Sequence, residues 1–307
     1  MNESFSGHRG EGRAHRNASA ATTGSKREAK EVAMEATGKI KAVFFDLDDT
    51  LVLTTEAGVL ACESVCDLAQ TLSAQKEASA SINRAGLIAR FMKGFDETPW
   101  DPEGKIEVTE WRAGLWNAGL EDQGLGDMPI ARQLQTEYDR ARMHHFKFVP
   151  GAVEMVERLR SHGRLAIVII TNGHHEVQRR KLEACGAAAV FGEANLIVGG
   201  EEELNGGHQK PHPSIFLKAC TIAGCKPSEA VHIGDSLKTD VIGGRDAGLA
   251  ATIWINPKDT ALPEGWHFTK SGSESPESHP SEQVHVVTEV EKIINGWQSK
   301  GVDEQSR

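Results

Sequence analysis

The chain reads as a doubly wound α/β protein whose parallel sheet is interrupted once by a helical insert. Three observations predict this. Short apolar runs recur along the chain, each followed by a helical stretch, and strands alternating with helices form parallel sheets with right-handed crossovers. The clearest runs, Val43-Phe44-Phe45 and Leu165 to Ile170 (LAIVII), are wholly apolar, as strands covered on both faces must be. From about Glu56 to His145 no such run occurs, and apolar residues return at helical spacing.

In chain order, residues 1–38 are Gly, Ser, Ala, Arg and Glu with almost no large apolar residue, which predicts a disordered tail. Arg9, Arg13 and Arg16 hint at an organelle transit peptide, whereas Glu3 and Glu11 count against one. The first strand ends at Asp46. Helices are then expected around Val59, Leu60, Val65 and Leu68; around Ile82, Leu87, Ile88 and Phe91; around Trp111, Leu115 and Trp116; and around Ala131, Leu134 and Tyr138. Val153, Val156 and Leu159 mark the next helix, before the strand Leu165 to Ile170. Shorter strands are expected at Leu196 to Val198, Val231 to Ile233, Ala251 to Ile255 and Val284 to Val287. The remaining helices are expected over His175 to Cys185, Pro213 to Ala223, Asp240 to Gly248 and Val287 to Trp297. Gly265 to Gln283, rich in Ser, Pro and Glu, reads as a surface loop. The expected organisation is a tail (1–38), a Rossmann-like core (39–54 with 147–300), a helical insert (55–146) and a flexible end (301–307).

Composition narrows the function classes. Asp plus Glu is 44 against 34 for Lys plus Arg, a net charge of −10, which disfavours nucleic acid as a partner. No apolar run approaches a membrane span, and no secretory leader is evident, so a cytoplasmic protein with no membrane partner is expected. The 5 cysteines then read as reduced thiols.

Four segments carry chemistry. In Phe44-Phe45-Asp46-Leu47-Asp48-Asp49-Thr50, alternation along an extended chain projects Asp46 and Asp48 to the same side, just past a strand end. That edge of an open α/β sheet is where ligands bind. Two crowded carboxylates call for a cation, and hard oxygen ligands suit Mg²⁺. A calcium loop beginning at Asp46 would want Gly where Leu51 stands and Glu where Ala57 stands. The second strand ends in Thr171-Asn172-Gly173, a hydroxyl and backbone N–H groups able to hold phosphate oxygens, although alone this is also an ordinary turn. Lys210-Pro211-His212-Pro213 opens a helix with an ammonium at its mouth; by itself Lys210 reads equally as a solvated loop lysine. In Val231-His232-Ile233-Gly234-Asp235-Ser236-Leu237-Lys238-Thr239-Asp240 a strand again ends in a carboxylate. Asp235 suits a metal site, and Asp240 suits a helix-terminus or supporting role. Gly243, Gly244 and Gly248 read as allowing that helix to pack closely on the sheet.

In this order the four segments resemble the haloacid dehalogenase superfamily of phosphohydrolases, over nearly the whole ordered chain. The insert is similar to that family's helical cap. More narrowly, TNG with QRRKLEAC, VGGEEE, KPHPSIF, IGDSLKTDVIGGRDAGL and ATIWIN resemble its acylneuraminate phosphatase branch. Two stretches depart from it: Glu201 to Gln209 and residues 271–283 both read as longer loops bordering the site.

The resemblance implies a Mg²⁺-dependent phosphatase whose partner is a small phosphorylated metabolite, a sugar phosphate in the first instance. It implies Asp46 as nucleophile, becoming an aspartyl phosphate, and Asp48 as general acid–base. It implies Mg²⁺ held by the Asp46 carboxylate, the Asp48 backbone carbonyl and Asp235. Thr171, the Asn172 backbone, Lys210 and the backbone amides of Leu47 and Asp48 would bind phosphoryl oxygens. Thr50 would hydrogen-bond locally to hold the loop. A sugar phosphomutase of the same superfamily uses the same acid. A phosphoacceptor signalling domain or an inactive scaffold is the contrasting class. Receiver domains place their acidic pair before the acceptor and carry no large insert, which argues against the first. The presence of every expected catalytic residue argues against the second.

Weaker features have plainer readings. His174-His175 reads as a surface pair at a helix start, and the adjacent His144-His145 suits no single ion. Cys62, Cys66, Cys220 and Cys225 read as buried thiols. Trp100, Trp111 and Trp116 read as cap packing or as lining of a cap pocket.

Overall fold

The computed structural model describes residues 40–77, 79–97, 106–161, 164–264, 266–268 and 278–303. The expected tail, Trp100 and the Ser-rich stretch 271–277 lie outside the described residues. β1 (Ala42–Phe45) is central in a 6-stranded sheet with β2 (Ala166–Thr171), β3 (Leu196–Val198), β4 (Ala230–Gly234), β5 (Ala251–Ile255) and β6 (Glu282–Val284). The order is β3-β2-β1-β4-β5-β6, and every pairing is parallel.

β1 can be wholly apolar because both its faces are covered. Val43 and Phe45 enter one apolar cluster, while Ala42 and Phe44 enter the cluster on the opposite face. Phe45 is paired with Ile169 on one side and Ile233 on the other. The chain builds outward from β1 through β2 to β3, then returns to the other side of β1 for β4, β5 and β6. Strand order therefore reverses at β1, and the crevice past its carboxyl end is the switch point where α/β sheets bind ligands.

The insert folds as α1 (Thr54–Lys76), α2 (Arg84–Glu97), α3 (Val108–Glu121) and α4 (Met128–His145). Asp127 caps α4 by accepting from the Ile130 amide, Pro129 lies in its first turn, and Arg142, His144 and His145 complement its carboxyl end. These helices bury a core of their own, including Val65, Leu87, Phe91, Leu120 and Leu134. Phe91 stacks on Trp116 at 3.7 Å, and Trp116 Nε1 donates to Gln135 Oε1 at 3.1 Å. Trp116 is thus core packing, and half-buried Trp111 rests against Phe95.

Elsewhere the expected helices form as α5 (Ala152–Ser161), α6 (His175–Ala184) and α8 (Pro213–Ala223), with four differences nearby. Part of the stretch read as a loop at 201–209 is helical, α7 (Gly199–Leu204), closed by the Gly207 amide donating to Glu202 O. The helix expected from Asp240 starts earlier, as a π-helical turn over Leu237–Ile242 that continues into α9 (Gly243–Asp246). Close packing explains Gly243 and Gly244, but Gly248 has φ 74° and closes the helix instead. The last strand stops at Val284, because Glu289 accepts from the amides of His285 and Val286 and starts the helical turn leading into α10 (Val290–Asp303). Among the described residues, no helix is long and apolar enough to cross a membrane.

Candidate active site

β1 sets Asp46 in place. The Asp46 amide donates to Ile233 O at 2.8 Å, extending the ladder by one residue and burying the carboxylate at the sheet edge. The chain then turns sharply. Asp49 takes φ 53°, and the amides of Leu51 and Val52 both donate to Leu47 O. The Asp49 carboxylate accepts from the Thr55 amide and hydroxyl at 2.8 and 2.6 Å, tying the loop to the start of α1. The expected Thr50 side-chain bond is a correction: its hydroxyl oxygen is buried with no partner among the described residues. Backbone bonds and Asp49 hold the loop instead.

At the end of β2, Thr171 is fully buried, and its hydroxyl donates to Gln178 Oε1 at 3.3 Å. The Asn172 side chain clamps the backbone of residue 210, donating to Lys210 O at 2.7 Å and accepting from Lys210 N at 2.9 Å. The Gly173 amide, one of the N–H groups read from the sequence as able to hold phosphate oxygens, instead donates to Gln209 Oε1 at 2.7 Å. The 201–209 stretch therefore does border the site.

Lys210 is not a solvated loop lysine. Its ammonium is buried, donating to Asp46 Oδ1 at 2.5 Å and Asp240 Oδ1 at 2.7 Å. Asp240 also meets His232 Nε2 at 2.9 Å and accepts from the Ser236 amide at 3.0 Å. Gly234 makes room for it, since a Cβ at 234 would overlap the Asp240 carboxylate. Carboxylate oxygens of Asp46, Asp235 and Asp240 all lie within 4.8 Å of one another.

Charge in this cluster does not balance. Burial pushes the Asp46 carboxyl well above the usual range; Lys210 opposes that, and the neighbouring carboxylates add to it. Withdrawal from water, then Asp240 and Asp49, push the more exposed Asp235 up to about 7. For Asp240, burial is outweighed by Lys210 and His232, which hold it low. Three carboxylates against one ammonium leave a formal −2, and His232 is kept neutral by burial. A divalent cation with hard oxygen preferences fits that donor set and that deficit.

Asp48 faces different company. It accepts from Thr54 Oγ1 at 2.5 Å, from Gln178 Nε2 at 3.1 Å and from the buried Lys181 ammonium at 2.7 and 2.8 Å. Burial alone would raise its carboxyl; Lys181 and these hydrogen bonds outweigh burial and hold it below the usual range. Its carboxylate does not join the Asp46 cluster. One hydrogen-bonded network nonetheless links the predicted residues: Thr171 reaches Asp48 through Gln178, and Asn172, Asp46 and Asp240 meet at Lys210. Asp235 stands beside Asp46 and Asp240.

Sequence reasoning missed Gln178 and Lys181. A signal was present. Val177, Gln178, Lys181 and Leu182 form the buried stripe of α6, and a lysine on an apolar stripe needs a partner.

A family model described as haloacid dehalogenase-like hydrolase matches residues 40–248. The chain is 31% identical over 219 residues to a human N-acylneuraminate-9-phosphatase, covering 71% of this chain and 83% of the relative. It is 28% identical over 221 residues to a glyceraldehyde 3-phosphate phosphatase of Pyrococcus abyssi, covering 70% and 81%. In structure it is similar to the HAD-hydrolase YfnB of Bacillus subtilis, with a TM-score of 0.56 at 23% identity over 84% of this chain and 100% of that one.

Proposed function

The chain belongs to the haloacid dehalogenase-like hydrolases, and from that premise we propose that it is a Mg²⁺-dependent phosphomonoesterase working through an aspartyl phosphate on Asp46. The observation that carries this reading is the cluster of Asp46, Asp235 and Asp240 around one ammonium, two positive charges short of neutral at a sheet's switch point. Asp46, Asp235 and the Asp48 backbone carbonyl would hold the cation. When bound, it offsets repulsion between Asp46 and an anionic ester.

In the first step an Asp46 carboxylate oxygen attacks phosphorus, the bond from phosphorus to the ester oxygen breaks, and the departing alkoxide takes a proton from Asp48. In the second, Asp48 takes a proton from water, whose oxygen attacks the phosphoaspartate; phosphate leaves and Asp46 is regenerated. Lys210 and the backbone amides of Leu47 and Asp48 bind the non-bridging oxygens, with Thr171 and Asn172 shaping that cradle. Lys181 holds Asp48 ionised, ready to act as base. An anionic ester arriving beside Asp48 raises its proton affinity, supplying the acid form for the first step.

The four-helix insert acts as a cap that excludes water and selects the leaving group. The substrate is a small phosphorylated metabolite, and the 31% identity to an N-acylneuraminate-9-phosphatase supports a sugar phosphate. A panel of sugar and nucleotide phosphates, assayed with and without Mg²⁺, tests the reading. Turnover should require the metal, and Asp46→Asn should abolish it, by about a thousandfold or more, while the fold is retained. Near-normal turnover by Asp46→Asn would remove the nucleophile assignment.

A further inference from the structure

Gln178 joins Asp48 to the turn after β2, and the proposed chemistry leaves it unused. It is only 4% exposed, on the buried stripe of α6 about one turn before Lys181. Its Nε2 donates to Asp48 Oδ2 at 3.1 Å and to Asn172 O at 2.7 Å, which uses both of its protons. Its Oε1 accepts from the Thr171 hydroxyl at 3.3 Å. The reverse amide orientation would set Oε1 against a carboxylate and a carbonyl, so the network fixes the direction of the side chain. Gly173, with φ 123°, leaves the space this needs: a Cβ there would stand 2.6 Å from Gln178 Nε2.

Asp48 needs such a partner. Lys181 meets its carboxylate head-on, with the ammonium 2.7 Å from Oδ1 and 2.8 Å from Oδ2. An ammonium shared so evenly supplies charge but little direction, because its three donors rotate on a flexible stem. The carboxylate remains free to turn about the line joining the two groups. A donor to one oxygen alone prevents that turn, and two such donors are present: Thr54 Oγ1 on Oδ1 at 2.5 Å, and Gln178 Nε2 on Oδ2. Thr54 opens the first helix of the insert. Gln178 belongs instead to the helix that follows β2, and it is tied to Thr171 and Asn172. It therefore sets the carboxylate in register with the turn that shapes the phosphoryl cradle.

We infer that Gln178 is a positioning residue for Asp48: it aims the carboxylate at the ester oxygen, and Thr171 and Asn172 hold that aim. The inference rests on the phosphomonoesterase reading above and deepens it. Lys181 supplies the charge at Asp48, and Gln178 supplies the direction. Because Gln178 acts through Asp48, its loss is felt only where Asp48 moves a proton. A basic leaving group such as phenolate departs with a proton from Asp48, whereas nitrophenolate is stable enough to depart without one. Misplacing a reacting group by about 1 Å costs about a hundredfold in rate.

Steady-state kinetics on phenyl phosphate and p-nitrophenyl phosphate, with Mg²⁺ throughout, test this. Gln178→Met keeps the side chain's length and removes its donors and acceptor. It should lower kcat/KM for phenyl phosphate about 10- to 100-fold and leave that for p-nitrophenyl phosphate within about threefold of wild type. In the same variant kcat for p-nitrophenyl phosphate should fall, with a burst of nitrophenolate, because the second step needs Asp48 as base. Gln178→Glu keeps the acceptor for Thr171 but cannot donate when ionised, and should show the same split between the two esters. Asp48→Asn should show it most strongly. Equal losses on both esters in Gln178→Met, or no loss, overturn the inference. If neither Gln178 variant folds, Thr171→Val decides, since it is isosteric and removes the proton that Gln178 Oε1 accepts. It should lose more activity on phenyl phosphate than on p-nitrophenyl phosphate, and an equal loss overturns the inference. A split in Asp48→Asn without one in Gln178→Met defeats this inference alone. No split in Asp48→Asn removes the acid assignment as well, and no turnover of any phosphate by the wild type defeats the phosphomonoesterase reading.

Discussion

Asp46 and Asp48 are two residues apart, and burial pushes both carboxyls upward, yet they end on opposite sides of the usual range. Asp46 shares one ammonium with Asp240 and has Asp235 alongside, a cluster with a formal −2. Asp48 has Lys181 to itself, a one-to-one ion pair, and Arg142 adds to the pull that holds its carboxyl low. Burial sets how strongly neighbours count, and the number of charged neighbours sets the sign. The first cluster is short of positive charge, whereas at Asp48 each negative charge has its cation, which is why one carboxyl ends high and the other low.

The sharpest way to break this comparison is to remove the cation each aspartate depends on. Lys210→Met leaves three carboxylates in one cluster with no ammonium. Breaking a buried pair of this kind costs about 3–5 kcal/mol. Urea unfolding at neutral pH should show that loss, turnover should disappear, and Mg²⁺ should restore part of the stability by substituting for the missing charge. If Mg²⁺ stabilises Lys210→Met no more than wild type, the cluster is not short of positive charge.

Lys181→Met is the matching change in the other cluster, with a smaller expected effect. Asp48 keeps its bonds from Thr54 and Gln178, and its side chain retains 26% of its exposure to water, so the loss at pH 7 should be about 1–2 kcal/mol. The pH dependence follows from the sign of the shift. A carboxyl held low in the folded state contributes stability that is present above its unfolded pKa of about 3.9 and is lost as pH falls through the folded value. Wild type and Lys181→Met should therefore differ most between about pH 5 and 7 and converge below about pH 4. A gap that stays constant down to pH 3 would show that Lys181 acts through packing on Phe146 rather than through Asp48.

What the sequence could and could not reveal divides along the same line. Asp46 and Asp235 were legible because each directly follows an apolar strand, and strand ends at a sheet's switch point are defined locally. The helical insert was legible from its periodicity. Lys210 was ambiguous alone, because the carboxylates that bury it come from β1 and from the helical turn after β4. Lys181, Arg112 and Arg142 passed unnoticed, though each occupies the buried stripe of its helix: Arg142 with Leu134, Tyr138 and Ala141, and Arg112 with Val108, Leu115 and Trp116. Charged residues on apolar stripes were the available sign. The partner of Lys181, Asp48, comes from the loop after β1, and no local pattern in the helix encodes that.

The finest distinction between the clusters concerns protons competing with the metal. Asp235 is pushed up to about 7 by withdrawal from water and by Asp240 and Asp49, so below that pH it is protonated in the metal-free protein. A carboxylate must be ionised to hold a cation, and Mg²⁺ binding therefore displaces the proton. The apparent Kd for Mg²⁺ should weaken about tenfold per pH unit, about 1.4 kcal/mol, as pH falls below about 7, and should be flat above it. Titration calorimetry in buffers of differing ionisation enthalpy should detect close to one proton released per Mg²⁺ near pH 6 and almost none near pH 8. Asp235→Asn should weaken binding and flatten this slope together, because the proton and the metal compete for the same oxygen. A Kd that does not change between pH 5.5 and 7 would mean that Asp235 is already ionised, and that the cluster's missing charge is made up by a proton on Asp46 instead.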